Sequence, residues 1–341
     1  MKAYLQRLCE NESLTKKEMT EAVDYLFSNE VSDSEIAAFL VGLKMKGETV
    51  EEIAALVQSV REKSLSFSKK IPNVMDNCGT GGDGSKSFNI STTSAFVIAG
   101  AGIPVAKHGN RSVSSKTGSA DVLEYLGINL NLPPQTTEEF LEEIGISFLF
   151  AQHVHPHIKK IMKVRRDLRI PTIFNLIGPL TNPVQLDSQL LGIYRRDLID
   201  HFAEVLKSLG RKRAVVLNGA GFMDEASLQG ENHLAILENG TITRKTLHPE
   251  ELGLEIFTNE EIKGGDSKEN AQILLQVLKG EKGAYRETVL LNAGIGIYAN
   301  GKAVTIRDGI DLAKESIDSG AAYAKLQYLI GKSRSYKIGV V

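Results

Sequence analysis

A glycine-rich segment near residue 80 is the part of this sequence best suited to chemistry. Residues 76–86 read DNCGTGGDGSK and follow a short apolar run that predicts a strand. Glycines after a strand let backbone N–H groups surround an oxyanion, and a following helix N-terminus adds a favourable dipole. Asn89, Ser91 and Thr92 lie just beyond, where an Ala- and Val-rich helix is predicted to begin. We call residues 76–86 the glycine-rich loop, and we predict that it binds phosphate.

Two nucleotide-binding motifs resemble this loop, and neither fits it. Gly79, Gly81 and Gly84 match G-x-G-x-x-G, but that motif expects an acidic residue after the second strand, where Lys107-His108 stands here. A Walker A loop ends in Lys-Ser or Lys-Thr, whereas Ser-Lys follows the last glycine. In a purely structural alternative, the hydroxyls beyond the loop only cap the helix and the glycines only make a tight turn.

A second polar loop follows the next predicted strand. Residues 107–121 read KHGNRSVSSKTGSAD and combine three cations, one histidine, five hydroxyls and two glycines. A run of cations is usually a solvated surface, but such surfaces seldom include so many small hydroxyl residues. Ligands of open α/β sheets bind at the carboxyl ends of the strands. Two such loops from neighbouring strands therefore predict a ligand with more than one phosphate.

The composition excludes several classes of protein. Apolar residues make up 42% of the 341 residues and charged residues 24%, as in ordinary globular proteins. The formal charge of -2 offers no overall attraction for nucleic acid or anionic lipid. Cys9 and Cys78 are too few for a disulfide framework, and the most apolar run, 95–106, is shorter than a membrane span. We therefore expect a cytoplasmic protein with no membrane partner.

The first 70 residues are predicted to form a small helical domain. Three capping boxes each precede an apolar stripe at helical spacing: Thr15 with Glu18, Ser32 with Glu35, and Thr49 with Glu52. Short amphipathic helices must bury their apolar faces against one another or against a partner subunit. We expect residues 1–70 to include the dimerisation surface of a homodimer.

Residues 71–341 are predicted to form a larger α/β domain. Strands are expected at 74–76, 103–107, 147–150, 189–193, 214–218, 234–237 and 241–243. Helical patterns separate most of these runs, which indicates a mainly parallel central sheet, while Asn239-Gly240 predicts a hairpin between the last two. The expected fold class is therefore α/β, with a small N-terminal helical domain. Residues from about 165 to 190 are expected to pack back on that domain.

The motifs in this chain resemble those of anthranilate phosphoribosyltransferases. The matching segments are CGTGGDGSKSFNIST (78–92), VAKHGNRSVSSKTGSADVLEYLG (105–127), FNLIGPLTNP (174–183), GFMDEAS (221–227), LNAGIGIYANGKA (291–303) and ESIDSGAAYAKL (315–326). The resemblance runs through nearly the whole chain. It implies a homodimeric enzyme of tryptophan biosynthesis that transfers the phosphoribosyl group of phosphoribosyl pyrophosphate (PRPP) to the amine of anthranilate. Pyrophosphate is released, and Mg²⁺ is the implied cofactor.

The resemblance also implies roles for individual residues. The implied PRPP contacts are Gly79, Gly82, Asp83, Ser87, Asn89, Ser91, Thr92, Lys107, Asn110, Ser115 and Ser119. The implied Mg²⁺ ligands are Ser91, Asp224 and Glu225. Anthranilate would contact Asn110 and Arg165, with His108, His155 and Gly178 along its path. No catalytic nucleophile or base is expected, because the aromatic amine is already neutral and positioning with metal assistance supplies the rate.

Each of these roles has a plain structural alternative. Asp224-Glu225 suits Mg²⁺, which takes one or two protein carboxylates plus substrate phosphates, but adjacent carboxylates are also common on surfaces. Arg165 could bind a planar carboxylate through two parallel hydrogen bonds, or it could be solvated among its basic neighbours. The alternating histidines at 153, 155 and 157 do not have the spacing of a known zinc site.

Two other functions stay open from the sequence. Pyrimidine nucleoside phosphorylases share a Gly-Thr-Gly-Gly loop but lack the Lys-His-Gly-Asn-Arg of the second loop. A non-catalytic paralogue that binds nucleic acid would use the basic stripe in residues 159–169. The chain also departs from the family pattern at three positions. Arg169 and Pro171 replace a glycine and an arginine after Arg165, and Asn218 replaces a histidine before the acidic residues.

Overall fold

The computed structural model describes residues 1–111 and 117–336. In these residues the helices are α1 (Lys2–Cys9), α2 (Lys16–Leu26), α3 (Asp33–Lys46), α4 (Val50–Glu62), α5 (Ile90–Gly100), α6 (Ser119–Tyr125), α7 (Pro134–Glu143), α8 (Ala151–Val154), α9 (Lys159–Leu168), α10 (Ile199–Ser208), α11 (Ser267–Leu278), α12 (Ala284–Asn300), α13 (Ile306–Asp318) and α14 (Ala321–Ser335). The strands are β1 (Met75–Gly79), β2 (Val105–Gly109), β3 (Ile146–Phe150), β4 (Ser188–Gly192), β5 (Arg213–Asn218), β6 (Asn232–Glu238) and β7 (Thr241–Leu247).

The three capping boxes predicted for the N-terminal helices are confirmed. In α2, α3 and α4 the capping hydroxyl accepts a hydrogen bond from a first-turn backbone N–H, and the glutamate accepts one from the capping residue. Glu52 has a second role, because it is fully buried and also accepts from the N–H of Leu14 at 2.8 Å and from Lys46 Nζ at 2.7 Å. The cap of α4 therefore also joins α4 to the loop before α2.

One seven-stranded sheet forms the centre of the molecule, in the order β3-β2-β1-β4-β5-β6-β7. The first five strands are parallel, and β6 and β7 are antiparallel. All seven predicted strands are present, and the predicted mainly parallel sheet is confirmed. The β6–β7 hairpin turns at Asn239 and Gly240, whose φ angles of 50° and 80° suit the tight turns of two-residue hairpins.

The two faces of the sheet have separate hydrophobic cores. Helices α5 and α11 to α14 contribute to one core, with Phe96, Leu274 and Ile295 buried in it. Helices α2 to α4, α9 and α10 contribute to the other, in which Phe39 and Phe202 are fully buried. The apolar residues of 173–180 lie in this second core. The N-terminal helices therefore share a buried interior with one face of β4, β5 and β6.

The helical predictions needed two corrections. The sequence pattern of residues 306–329 predicts one helical stretch, but the structure has two helices there, α13 and α14, separated at Gly320, which has a φ of 78°. Helix α9 was described from the sequence only as a basic stripe, because its sole buried apolar residues are Ile161 and Val164. Among the described residues, no helix has the length and apolar character needed to cross a bilayer.

The strand order places a binding crevice at one point of the sheet. The chain moves from β1 to β2 on one side and later to β4 on the other, so the order reverses between β1 and β4. Ligands of open α/β sheets bind at such a reversal, outside the carboxyl ends of the strands. The carboxyl ends of β1 and β4 are Gly79 and Gly192, which are paired in register.

Candidate active site

The acidic pair, Asp224 and Glu225, lies across the carboxyl ends of β1 and β4. Asp224 Oδ2 accepts a hydrogen bond from the N–H of Gly81 at 2.6 Å. A Cβ atom at Gly79 would lie 2.3 Å from that oxygen, and one at Gly192 would lie 1.6 Å from the backbone carbonyl oxygen of Asp224. Both strands must therefore end in glycine for the acidic pair to reach this crevice.

Gly192 is a site residue that the sequence reasoning missed. Its only signal was a glycine at the end of a predicted strand, and many strands end that way. Its importance depends on Asp224, which is 32 residues further along the chain and contacts it only in the fold.

Glu225 connects the acidic pair to the start of α5. Its Oε1 accepts from the N–H of Ser91 at 3.2 Å, and the carbonyl of Ser91 accepts from Asn77 Nδ2 at 2.9 Å. Burial raises the pKa of Glu225 to about 7, because the carboxylate is removed from water. The positive charge of Lys107 opposes this shift, and the negative charge of Asp83 adds to it. Several carboxylates are thus held close together, which is the electrostatic environment of a cation site.

The pKa of Asp224 is also raised well above its ordinary value. Burial is the largest cause, followed by the negative charges of Asp83 and Glu225, while the hydrogen bond from Gly81 acts in the opposite direction. Repulsion of this kind disappears when a divalent cation lies between the carboxylates. The acidic pair is therefore arranged to favour a bound cation over two free carboxylates.

The glycine-rich loop folds around Asp83. The Asp83 Oδ1 accepts from both the N–H and the Oγ of Ser85 at 3.0 Å, and its Oδ2 lies 3.4 Å from the N–H of Asp224. The φ angles of Gly81, Gly82 and Gly84 are 69°, 82° and 74°, a region that glycine enters without steric cost. The loop is thus bent back toward the acidic pair, and Ser87 Oγ lies 3.3 Å from Ser85 Oγ.

The capping alternative for the hydroxyls beyond this loop is wrong. Helix α5 has Asn89 at its N-cap, and the Asn89 side chain makes no capping hydrogen bond. Ser91 and Thr92 lie instead inside the first turn of the helix. Thr92 Oγ1 is buried and has no hydrogen-bond partner among residues 1–111 and 117–336. Thr92 Oγ1 is therefore available for a ligand at the helix N-terminus, whereas the Ser91 side chain hydrogen-bonds to Glu225.

The second loop starts from β2, next to β1. Lys107 is only 2% exposed, and its Nζ donates to the backbone carbonyl of Asn77 at 3.2 Å. Ser119 Oγ donates to the carbonyl of Asn110 at 3.2 Å, and a Cβ at Gly109 would lie 2.3 Å from that hydroxyl oxygen. Lys107, Asn110 and Ser119 are thus brought to the same edge of the sheet as the glycine-rich loop. Ser115 lies outside the described residues.

Residues 262–270 support both loops and were also missed. The N–H of Phe88 donates to Ile262 O at 3.1 Å, and Asn270 Nδ2 donates to Asn89 Oδ1 at 2.8 Å. On the other loop, Thr117 Oγ1 donates to Gly265 O at 3.0 Å. The sequence signal was the Gly-Gly-Asp-Ser at 264–267, which ends in the capping box of α11.

Two buried histidines lie together, His108 near the end of β2 and His155 directly after α8. His108 Nδ1 lies 3.0 Å from the carbonyl oxygen of Gly178, and its ring meets that of His155 edge-to-face at 5.3 Å. Burial lowers the pKa of His108 to about 3 and that of His155 to about 4. Both rings are therefore neutral at physiological pH. His108 Nδ1 donates to Gly178, so its Nε2, which has no partner in the described residues, is an acceptor.

Arg165 is half-buried on α9 and is not solvated among its basic neighbours. One Nη donates to Asn175 Oδ1 at 3.0 Å, the other lies 2.9 Å from Met162 Sδ, and the guanidinium lies over the ring of Phe174 at 5.7 Å. Burial lowers its pKa to about 10, so it keeps its charge at pH 7. Its Nε is buried without a partner in the described part of the chain. The arginine is thus a partly desolvated cation suited to a carboxylate ligand.

The described residues alone do not complete a metal cage. In residues 1–111 and 117–336, no group of three or more His, Cys, Asp and Glu side chains is arranged to hold a metal ion. The histidines at 153, 155 and 157, which are all described, therefore do not form such a group either. Mg²⁺ needs no such cage, because it keeps several waters and binds through one or two carboxylates plus substrate phosphates. The acidic pair and the Ser91 hydroxyl fit that requirement.

Comparison with known proteins gives the family. Residues 2–64 match the helical bundle domain of a glycosyl transferase family, and residues 71–323 match its a/b domain. An anthranilate phosphoribosyltransferase of Bacillus mycoides (strain KBAB4) is 60% identical over 333 residues, which cover 98% of both chains. The chain belongs to the anthranilate phosphoribosyltransferase family.

Solved structures of other anthranilate phosphoribosyltransferases have the same fold. The enzyme of Thermus thermophilus is 40% identical, and the match covers 97% of this chain and 99% of that enzyme with a TM-score of 0.93. A Saccharomyces cerevisiae enzyme solved in complex with PRPP and Mg is 26% identical, and the match covers 98% of both chains with a TM-score of 0.89. The predicted fold class and the predicted family are both confirmed.

Proposed function

We propose that this protein transfers the phosphoribosyl group of PRPP to the amine of anthranilate, with release of pyrophosphate, as a step of tryptophan biosynthesis. The observation that carries the proposal is the meeting of the glycine-rich loop, the N-terminus of α5 and the acidic pair at the reversal of strand order. That arrangement suits a donor with two phosphate-bearing ends and a divalent cation. The 60% identity to an anthranilate phosphoribosyltransferase supports the same reaction.

The donor side is assigned to residues on three elements. We propose that PRPP contacts the loop residues Gly79, Gly82, Asp83 and Ser87, the α5 residues Asn89, Ser91 and Thr92, and the second-loop residues Lys107, Asn110, Ser115 and Ser119. The support in the structure is that the described members of this set lie at one edge of the sheet, with a buried cation and backbone N–H groups that stabilise anions.

Magnesium is part of the proposal. Ser91, Asp224 and Glu225 would hold it, and when bound it would stabilise the charge that grows on the departing pyrophosphate. The support is the raised pKa of the acidic pair and the Mg-bound structure of the yeast relative. The residues of this chain supply the remaining steps: the loop binds the phosphates, and α5 and the second loop orient the ribose toward the acceptor.

Anthranilate is assigned to the side of His108 and Arg165. Arg165 would bind its carboxylate, and the neutral rings of His108 and His155 would line its path with Gly178. A neutral ring does not repel the amine and does not protonate it. The amine therefore keeps the lone pair that attacks the ribose carbon as the bond to pyrophosphate breaks. The resulting anilinium is acidic and loses its proton to solvent, so no general base is needed.

The alternative functions have less support. Whole-chain relatives named anthranilate phosphoribosyltransferase do not favour a nucleoside phosphorylase. For nucleic-acid binding, part of the basic stripe is already engaged, because Lys163 Nζ pairs with Asp33 at 2.6 Å and Lys160 Nζ contacts the carbonyl of Val31. These lysines join α9 to α3 and the loop before it.

We also propose that the protein is a cytoplasmic homodimer. The support for the dimer is the N-terminal helical domain, where a groove between α1 and α3 is lined by Leu5, Gln6 and Cys9. The support for the cytoplasm is that Cys9 and Cys78 are both free thiols. Sedimentation equilibrium of the wild type and of Leu5→Glu would test the dimer, which should dissociate in the variant.

The reaction is tested by mixing the protein with PRPP, Mg²⁺ and anthranilate and following the loss of anthranilate fluorescence. We expect turnover in the wild type and a loss of about 10²-fold or more in kcat for Asp224→Asn with Glu225→Gln. The matched control is Glu250→Gln with Glu251→Gln, an exposed acidic pair on the same chain. Absence of wild-type turnover over a range of Mg²⁺ concentrations would rule out the proposed reaction.

A further inference from the structure

Three buried asparagines hold the backbone on either side of the acidic pair. They are Asn218 at the end of β5, Asn232 at the start of β6 and Asn292 in the middle of α12. None is more than 1% exposed. Their side chains all hydrogen-bond to backbone groups of residues 223–227, which we call the acidic segment.

Asn292 and Asn232 hold the two residues that follow the acidic pair. Asn292 Oδ1 accepts from the N–H of Ala226 at 2.9 Å, and its Nδ2 donates to the carbonyl of Ala226 at 2.8 Å. Asn232 does the same at Ser227, with distances of 2.7 Å and 2.9 Å. The backbone N–H and carbonyl of Ala226 are thus both paired to the amide of Asn292, and those of Ser227 to the amide of Asn232.

Asn218 holds the residue that precedes the acidic pair. Its Nδ2 donates to the carbonyl of Met223 at 3.1 Å and to the carbonyl of Ile193 at 2.8 Å, and its Oδ1 accepts from Arg196 Nε at 2.8 Å. Ile193 directly follows Gly192, the glycine that the acidic pair crosses. Asn218 therefore fixes the acidic segment to the end of β4.

The acidic segment needs these side chains because it lies outside the sheet. It connects β5 to β6, and the preceding turn has left-handed backbone at Gly221 and Phe222, with φ angles of 78° and 61°. Buried backbone groups that lack a strand neighbour must find another partner. An asparagine amide places N–H donors beside a carbonyl acceptor, so it replaces the neighbouring strand.

We propose that Asn218, Asn232 and Asn292 are positioning residues, which fix the acidic segment so that Asp224 and Glu225 meet the metal and the phosphates of PRPP. This inference rests on the proposed function, because it takes the acidic pair as the metal ligands. It adds residues from β6 and α12 whose side chains contact the backbone of the acidic segment.

The test measures how strongly Mg²⁺ tightens PRPP binding. Calorimetry gives the Kd for PRPP without Mg²⁺ and with saturating Mg²⁺. The first Kd divided by the second measures how much the metal tightens PRPP binding, and it requires no turnover. We expect Asn292→Ala to reduce this ratio by about tenfold. The control is Asn300→Ala on the same helix, which removes hydrogen bonds to Asn73 and Ser188 at the other end of the sheet and should leave the ratio unchanged.

Urea unfolding of both variants separates positioning from simple stability. A lower midpoint in both variants with a reduced ratio only in Asn292→Ala supports the proposal. A stable Asn292→Ala protein with the wild-type ratio overturns it. Where Asn292→Ala does not fold, Asn218→Ser is measured and judged in the same way.

The acidic pair itself is measured in parallel. If Asp224→Asn with Glu225→Gln loses the Mg²⁺ effect and Asn292→Ala keeps it, the asparagine proposal fails and the metal assignment stands. If the double variant keeps the wild-type ratio, the metal assignment fails and the positioning role fails with it.

Discussion

The proposed donor side and the proposed acceptor side of this site are built in different ways. On the proposed donor side, backbone N–H groups and the acidic pair are brought together because β1 and β4 end in glycine, and the hydroxyls at the start of α5 lie beside them. On the acceptor side, the chemistry is carried by side chains from β2, α8 to α9 and residues 173–180, which are buried against each other. The geometry of the donor side thus depends on the path of the backbone, and that of the acceptor side depends on side-chain packing.

This difference predicts different tolerance to substitution. A side chain added where two backbone segments touch has no room, since neither segment can rotate away. A buried side chain can be replaced while the fold remains, although the affinity for its ligand falls. We therefore expect donor-side changes to abolish turnover and acceptor-side changes to shift the KM of one substrate.

The largest expected effect is that of Gly192→Ala. The new Cβ would lie 1.6 Å from the carbonyl oxygen of Asp224, so the acidic segment must move. Because displacements of about 1 Å can cost about 10²-fold in rate, we expect kcat to fall by at least that factor. Steady-state kinetics would check it. Gly331→Ala in α14, where a Cβ meets nothing within 4 Å, is the control, and equal kcat values for the two variants would contradict the prediction.

Arg165→Ala should affect the acceptor alone. Losing a charged hydrogen-bond partner costs about 1.5–3 kcal/mol, so we expect the KM for anthranilate to rise by about 10- to 100-fold. The KM for PRPP should change by less than about twofold, because PRPP is assigned to the other side. Arg166→Ala, at the exposed neighbouring position, is the control. Equal increases in both KM values would remove the distinction between the two sides.

The same distinction explains how much could be predicted from the sequence. The glycine-rich loop and the second loop are each one unbroken stretch of sequence. Their residue types alone were therefore enough to predict a phosphate site. The strands and the capping boxes were also predictable, because they follow local periodicity and spacing. Gly192 and Asn292 were not, because their partners are Asp224 and Ala226, which lie 32 and 66 residues away.

The acceptor side could not be derived from spacing for the same reason. Arg165 lies in a basic stretch that reads as solvated, and only the fold places Phe174 and Asn175 against it. The roles of His108 and Arg165 came from the family resemblance. The structure adds that His108 and His155 contact one another, which no sequence pattern indicated.

The buried histidines make stability depend on pH. Their pKa values in the folded protein, about 3 for His108 and about 4 for His155, lie below the unfolded value of about 6.5. The unfolded chain therefore binds more protons, and stability is lost as pH falls from about 6.5 toward these folded values. Each histidine contributes up to about 1.4 kcal/mol per pH unit in that range.

His108→Asn tests this contribution. The asparagine Nδ2 can donate to Gly178 O in place of His108 Nδ1, but it does not titrate. We expect the loss of unfolding free energy between about pH 7 and about pH 5 to be smaller than in the wild type by about 2 kcal/mol. Urea unfolding at the two pH values measures it. If the unfolding free energy fell by the same amount between these pH values in both proteins, His108 would be taking up its proton in the native state.

The smallest expected effect comes from Arg169, a departure from the family on the acceptor side. Arg169 ends α9 in the left-handed conformation, with φ 53° and ψ 25°, and its N–H donates to the carbonyl of Arg165 at 3.2 Å. Glycine adopts this conformation without steric cost, so Arg169→Gly should raise the free energy of unfolding by about 0.5–1 kcal/mol. Urea unfolding checks the stability. The KM for anthranilate should stay within about twofold of the wild type, because the helix end that carries Arg165 keeps its geometry. A large change in that KM would instead give the Arg169 side chain a direct role in the acceptor site.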